Sequence, residues 1–215
     1  MSTKAEQFDQ LARHLFAPVY PVIARQFLEK SKISSGLCLD LGCGSGYLGL
    51  AIAELSDLKV SLVDSDPEML AIARRNINDC QLQNRASILL ADVHQIPLAS
   101  GSVQLVVSRG SVFFWQDLPR AFREIYRVLA PGGMAFIGGG FGTSELKKQI
   151  DEEMRQRHPN WSEHLRENIG AAAPEKYRTV MAEAGIADYY IDHSPIGMWI
   201  VFEKNSAEAG SQKNI

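Results

Sequence analysis

The sequence predicts an α/β fold, a mostly parallel sheet with helices on both faces that ends in an antiparallel hairpin. Two observations carry this. Five short apolar runs (Leu37 to Leu41, Lys59 to Val63, Ala86 to Leu90, Val103 to Ser108 and Met134 to Gly138) alternate with helix-like segments. Strand-helix alternation implies a parallel sheet covered on both sides. Two later strand-like runs, Ala187 to His193 and Met198 to Phe202, are joined by Ser194-Pro195-Ile196-Gly197, which is too short for a parallel crossover. With 215 residues, 46% of them hydrophobic, a single core and a single domain over 1–205 are expected. The polar, small residues of 206–215 give no reason to expect order.

In chain order, Phe8, Leu11, Ala12, Leu15, Phe16 and Val19 recur at helical spacing. Pro18 and Pro21 are expected to bend or break this segment before Val22 to Leu28 resumes it, giving a helical cap over 1–30. Asp66 before Pro67 and Glu68 reads as an N-cap with proline at the first helical position. A later helix places Phe122, Ile125, Tyr126 and Leu129 on one face and is expected to stop at Pro131-Gly132-Gly133. The mixed-charge stretch Thr143 to Pro174 reads as a solvated helix. It also follows directly from a strand end, where ligands of open α/β sheets bind, so it reads equally as an insertion over the mouth of a site.

The 22 basic and 25 acidic side chains leave a net charge of -3, which offers no global attraction to nucleic acid or anionic lipid. Cys38, Cys43 and Cys80 show neither CxxC spacing nor the density of a disulfide scaffold, which favours a reducing, cytoplasmic setting. No apolar run approaches the roughly 20 residues of a membrane span, and no leader pattern opens the chain. His14, His94, His158, His164 and His193 are scattered, so no metal site is expected.

The chemistry concentrates in Leu39-Asp40-Leu41-Gly42-Cys43-Gly44-Ser45-Gly46, a glycine loop between a buried strand and a helix opening near Tyr47. Glycines there let a ligand approach the main-chain N–H groups. Gly44-Ser45-Gly46-Tyr47-Leu48-Gly49 also fits the GxGxxG dinucleotide fingerprint. Asp40 beside the loop suits a cationic ligand better than a pyrophosphate, whose charge it would repel. Asp64 follows the last loop glycine by 18 residues, near the spacing at which an acid meets a ribose in either cofactor class. Asp92 is a further acid directly after the third strand.

In these motifs the chain resembles the class I S-adenosylmethionine-dependent methyltransferases, particularly the ubiquinone and menaquinone biosynthesis C-methyltransferase branch. The resemblance runs from about Leu37 to Gly140: the glycine loop, then Val63-Asp64-Ser65-Asp66-Pro67-Glu68-Met69-Leu70, Ala91-Asp92-Val93 and Arg127-Val128-Leu129-Ala130-Pro131-Gly132-Gly133. It implies a Rossmann-like sheet of seven strands with the last antiparallel, and S-adenosyl-L-methionine as cofactor. By resemblance, Asp40, Gly42, Cys43, Gly44 and Gly46 would face the methionine portion and Asp64, with Ser65, the ribose. Asp92 would accept from the adenine amino group beside the Val93 N–H; Ser108 and Arg109, at the end of the fourth strand, are further cofactor-binding candidates. Each acid also has a plain structural role open to it, as a turn cap or loop brace.

The acceptor side is less constrained. Ser108 to Asp117 sits where an acceptor loop belongs and lacks the Asn-Pro-Pro-Tyr type motif of many amino-directed DNA and protein-glutamine methyltransferases. Phe113, Phe114 and Trp115 serve either a core or the wall of an apolar acceptor, and Arg109 either a substrate anion or a structural ion pair. Gly138-Gly139-Gly140-Phe141-Gly142 would let a ligand approach the backbone, or else forms a flexible turn. Tyr20, Trp115, Gly139 and Phe141 are the acceptor-binding candidates, and no catalytic acid or base is identified. Methyl transfer from a sulfonium needs neither unless the nucleophile must lose a proton. The expected activity is methylation of a small molecule. Its rivals are other sulfonium chemistry or a regulatory cofactor-binding role, and an NAD-dependent oxidoreductase.

Overall fold

The strands are β1 (Ser35–Leu41), β2 (Asp57–Asp64), β3 (Ala86–Leu90), β4 (Val103–Arg109), β5 (Leu129–Gly140), β6 (Tyr189–Ser194) and β7 (Gly197–Glu203). In this computed structural model, which describes residues 3–205, they form one sheet in the order β3-β2-β1-β4-β5-β7-β6. Neighbours pair in parallel from β3 across to β5, and β7 alone runs against its neighbours. The tail expected over 206–215 lies outside the described residues.

The central strands carry continuous apolar runs because both faces are covered. Leu39, Leu41, Leu62, Val106, Val107 and Ile137 are all buried. The chain leaves β1 toward β2 and β3 on one side, then crosses back to β4 and β5 on the other. The carboxyl ends of β1 and β4 therefore flank the crevice where sheets of this kind bind ligands.

The helices are α1 (Lys4–Leu11), α2 (Val19–Ser31), α3 (Tyr47–Leu55), α4 (Pro67–Asp79), α5 (Leu118–Val128), α6 (Ser144–Arg157), α7 (Trp161–Ile169) and α8 (Ala173–Ala184). Asp66 caps α4 by accepting from the Glu68 N–H, with Pro67 in the first turn. A wide-turned π segment, Ala12–Phe16, links α1 to the turn before α2. Pro18 stands at the start of α2, but Pro21 does not break the chain. It occupies the first turn of α2, where its missing N–H has no intrahelical partner to lose.

Two expected boundaries are corrected. The α5 helix ends at Val128, so Leu129 is a strand residue opposite Val103, and Pro131-Gly132-Gly133 lies within β5 rather than before it. The Gly132 N–H donates to the Lys204 carbonyl and the Lys204 N–H to Gly133, so pairing with the chain after β7 captures the turn. The stretch after β5 is two helices, α6 and α7, rather than one, separated by His158, Pro159 and Asn160, and α8 opens just before Pro174. The hairpin matches its expectation, with Ser194 opposite Gly197 and only Pro195 and Ile196 in the turn.

Candidate functional site

Two adjoining chambers open at the carboxyl ends of the central strands. The smaller, about 340 Å³, is walled by the ends of β1 and β2 and the loop after β3. The larger, about 500 Å³, lies under the N-terminal cap and the α6–α7 insertion. Gly42, Asp64, Ser65, Phe114 and Trp115 line both, so the two form one continuous crevice.

The glycine loop is shaped by backbone conformations that L side chains rarely adopt. Gly42, Gly44 and Gly46 have φ of 61°, 54° and 85°. A Cβ on Gly42 would fall 2.3 Å from that of Ser111, and one on Gly44 would fall 2.9 Å from the Phe8 ring. Each of these two glycines therefore brings backbone to the crevice where a side chain would fill it.

Asp64 locks the loop to the end of β2. Its Oδ2 accepts from the Gly44 N–H at 2.8 Å and its Oδ1 from the Asp66 N–H at 3.0 Å. A carboxylate oxygen has more than one acceptor site, so both oxygens can still accept from a diol in the crevice. Behind the loop, Asp40 is buried and its Oδ2 accepts from the Gly49 N–H at 2.8 Å, fixing the first turn of α3. Burial pushes the Asp40 carboxyl up to about 7; the Gly49 N–H opposes this and the charge of Asp64 adds to it.

The far end of the smaller chamber rests on a histidine that sequence reasoning left among the scattered ones. Asp92 Oδ1 accepts from the His94 N–H at 2.8 Å and meets His94 Nδ1 at 2.5 Å. His94 Nε2 accepts from the Asp117 N–H at 3.3 Å, which puts the ring proton on Nδ1. The His94 N–H is the main cause that holds the Asp92 carboxyl below its usual range. Asp92 Oδ2 takes no bond within the described residues, and Asp92 lines the chamber together with Val93. The free oxygen of Asp92 and the diol-accepting pair of Asp64 fit the polar edges of an adenosine.

The larger chamber is walled by side chains from distant segments: Phe8, Phe16 and Tyr20 of the cap, Phe113 to Trp115 after β4, and Trp161 and His164 of α7. Asp9 pins the cap over the loop. It accepts from Tyr47 Oη at 2.9 Å and Arg75 Nη2 at 2.8 Å, while Tyr20 stacks on Tyr47. Burial raises the Tyr20 pKa, with Arg109 opposing, so its hydroxyl stays protonated at neutral pH.

Of the residues expected to bind cofactor, Gly42, Gly44, Asp64, Ser65, Asp92, Val93 and Arg109 line the crevice. Asp40, Cys43, Gly46 and Ser108 line neither chamber. The Cys43 N–H donates to the Val63 carbonyl and burial pushes its thiol well up. A Cβ on Gly46 would meet Leu62, and Ser108 Oγ pairs with Ser111 Oγ at 2.6 Å. Tyr20, Trp115, Gly139 and Phe141, expected on the acceptor side, all line the larger chamber. Gly138, Gly139 and Gly140 are paired strand rather than a flexible turn, while Phe141 and Gly142 lie beyond β5, Gly142 with a φ of 76°. A Cβ on Gly138 would fall 2.0 Å from the Met198 carbonyl, so the closeness of β7 excludes side chains there. Among the described residues no His, Cys, Asp and Glu cluster has the makings of a metal site.

A family model described as a methyltransferase domain matches residues 39–137. A structure from Methanococcus maripaludis, assigned to the S-adenosyl-L-methionine-dependent methyltransferases without a stated substrate, is 41% identical. It covers 96% of this chain and 98% of its own, with a TM-score of 0.92. The malonyl-[acyl-carrier protein] O-methyltransferase of Serratia marcescens is 38% identical over 127 residues, 57% of this chain and 46% of that protein. The demethylmenaquinone methyltransferase of Chlorobaculum parvum is 33% identical over 99 residues, 46% of this chain and 39% of that protein. The chain thus spans about half the length, or less, of these two curated relatives. Since the likeness to the Methanococcus maripaludis protein extends over nearly the whole of both chains, this protein belongs to the class I S-adenosylmethionine-dependent methyltransferases.

Proposed function

We propose that the protein transfers a methyl group from S-adenosyl-L-methionine to a small organic acceptor held in the larger chamber. The observation that carries this reading is the continuity of the crevice. An acid-lined end suited to adenosine opens through Gly42 and Asp64 into an aromatic compartment of about 500 Å³, within the usual range for small-molecule sites. The net charge of -3 gives no general attraction for nucleic acid. The three cysteines are free, which suits a reducing compartment such as the cytoplasm.

The bound cofactor supplies an electrophilic methyl group on a sulfonium whose thioether leaves without a proton. The residues of the chain position and shield. Asp64 and Asp92 accept from the polar edges of the adenosine, and the glycine loop admits the ligand to backbone contact. Phe114 and Trp115 stand where the chambers meet and limit water there. Tyr20, kept protonated, orients an acceptor as a donor rather than removing its proton. Proximity and orientation then supply much of the rate.

The test is calorimetric titration with S-adenosyl-L-methionine and, separately, NADH, followed by assay of S-adenosyl-L-homocysteine formation with a panel of small acceptors. Sulfonium binding with acceptor-dependent turnover is expected. NADH binding would return the loop to the dinucleotide frame. Cofactor binding with no turnover on any acceptor would favour a regulatory role.

A further inference from the structure

Arg109 ends β4 and turns away from the two acids of the smaller chamber, toward β5 and the cap. Its Nε donates to the Gly140 carbonyl at 2.9 Å, and its guanidinium lies over the rings of Phe16 and Tyr20, 4.9 and 5.5 Å from their centres. These are its contacts among the described residues: it has no ion pair, and its two Nη groups have no hydrogen-bond acceptor. The residue lines the larger chamber. Aromatic faces attract a cation but do not accept its N–H bonds in the plane of the guanidinium, so four donors in a rigid fork are left without a partner among the described residues, on a residue that lines the cavity. A half-buried guanidinium without a counter-anion is unfavourable, and burial lowers the Arg109 pKa, with Tyr20 opposing.

The sheet order separates this cation from the adenosine end. Asp64 ends β2, two strands from β4, and Asp92 follows β3, one strand further out. At the usual strand spacing that places Arg109 about 10 Å or more from them. Around it, Phe16, Tyr20, Phe141 and Trp161 form an aromatic enclosure, with Phe141 and Trp161 edge to face at 6.2 Å. An anion beside a flat or apolar body matches that combination. A planar two-oxygen anion matches the fork best.

We propose that Arg109 is a carboxylate receptor on the acceptor side of the crevice, and that the methyl acceptor is a small organic acid with an aromatic or apolar body. This rests on the methyltransferase reading for the word acceptor. A carboxylate also ends the methionine portion of the cofactor, so the experiment separates the two sources.

Wild type, Arg109→Gln and Arg109→Lys are first titrated with S-adenosyl-L-homocysteine and with 5′-methylthioadenosine, which has the same nucleoside thioether without the amino acid. Each protein saturated with S-adenosyl-L-homocysteine is then melted with phenylacetate, cinnamate and 4-phenylbutyrate, and with the matching primary amides. The acids are expected to raise the melting temperature of wild type while the amides do not. In Arg109→Gln that difference disappears, with apparent acid affinity down about tenfold or more, and Arg109→Lys retains part of it. Affinity for both nucleosides changes by less than about threefold. Equal stabilisation by acids and amides, no stabilisation of wild type by any acid, or an acid effect that survives Arg109→Gln overturns the proposal. A tenfold loss of S-adenosyl-L-homocysteine affinity in Arg109→Gln with 5′-methylthioadenosine unchanged gives the carboxylate to the cofactor and overturns the acceptor assignment. Wild type that binds neither nucleoside sinks the methyltransferase reading itself, whatever Arg109 does.

Discussion

The smaller chamber is made of strand ends, loop amides and acids drawn from Leu41 to Gln116, whereas the larger takes its walls from the cap, the loop after β4, the end of β5 and the insertion. In the first, the decisive groups are fixed by local geometry. Asp64 braces a loop 20 residues before it, and Asp92 bonds to a residue two positions on. In the second, the decisive groups are side chains of amphipathic helices that meet only through packing, such as Trp161 of α7 stacked on His164 beneath Phe141. Under the proposed function, recognition of the cofactor is thereby separated from recognition of the acceptor, and the second compartment can vary without disturbing the first.

Removing the carboxylate that joins the two regions should produce the largest effect. Asp64→Ala is expected to weaken cofactor binding about 100-fold, since charge-assisted hydrogen bonds are each worth about 1.5 to 3 kcal/mol. Calorimetry reads this directly, and an unchanged affinity would mean that the smaller chamber does not hold the nucleoside.

The attachment of the cap is tested next. Asp9→Ala leaves Tyr47, Arg75 and Asn76 without their shared acceptor and is expected to cost about 2 kcal/mol of stability. It should also speed proteolysis within residues 4–31. A melting temperature equal to wild type would show that apolar packing alone seats the cap.

Asp40 gives a pH test of the brace behind the loop. Its carboxyl is raised in the fold to about 7 from an ordinary 3.8, so between those values the folded state holds the proton more tightly than the unfolded chain. The stability this contributes is full below the lower value and is lost as pH rises through 7. Asp40→Asn keeps an oxygen for the Gly49 N–H but does not titrate. Wild type should therefore lose on the order of 2 kcal/mol relative to the variant between pH 5 and 8. Parallel denaturation curves at the two pH values would refute the buried-acid account.

The smallest effect is expected at the far end of the smaller chamber. His94→Ala leaves the backbone N–H bond to Asp92 but removes the ring contact with it and the acceptor for the Asp117 N–H, and should weaken nucleoside binding about fivefold through misorientation rather than lost contact. A loss as large as that of Asp64→Ala would show that His94 touches the ligand itself.

Much of the smaller chamber was legible in the sequence. Apolar runs gave the strands, and the acids directly following β2 and β3 stand at the crevice because strand ends face it. Within those motifs, linear order did not separate wall from brace. Asp40 in β1 and Gly46 at the start of α3 flank Gly42 and Gly44 in sequence yet stand behind them, since the left-handed glycine conformations of the turn, and not a regular alternation, decide which groups reach the crevice. His94 carried a readable signal in its position two after Asp92, where an aspartate commonly accepts a backbone N–H. Its other bond, to Asp117, lies 23 residues away and left no local trace. The Pro131-Gly132-Gly133 segment misled because its turn chemistry is local, while the Lys204 pairing that draws it into β5 is not.

The sequence by itself determined the α/β order, the N-cap of α4, the hairpin and the residues of the glycine loop, because each follows from periodicity or from backbone demands within a few positions. Only the tertiary structure decided that Phe16 and Tyr20 of the cap lie against Arg109, that α7 brings Trp161 to Phe141, and that Asp9 ties the cap to α3 and α4. Helical periodicity shows that a face is apolar. Which distant face it meets is set by the packing of the whole sheet and its layers.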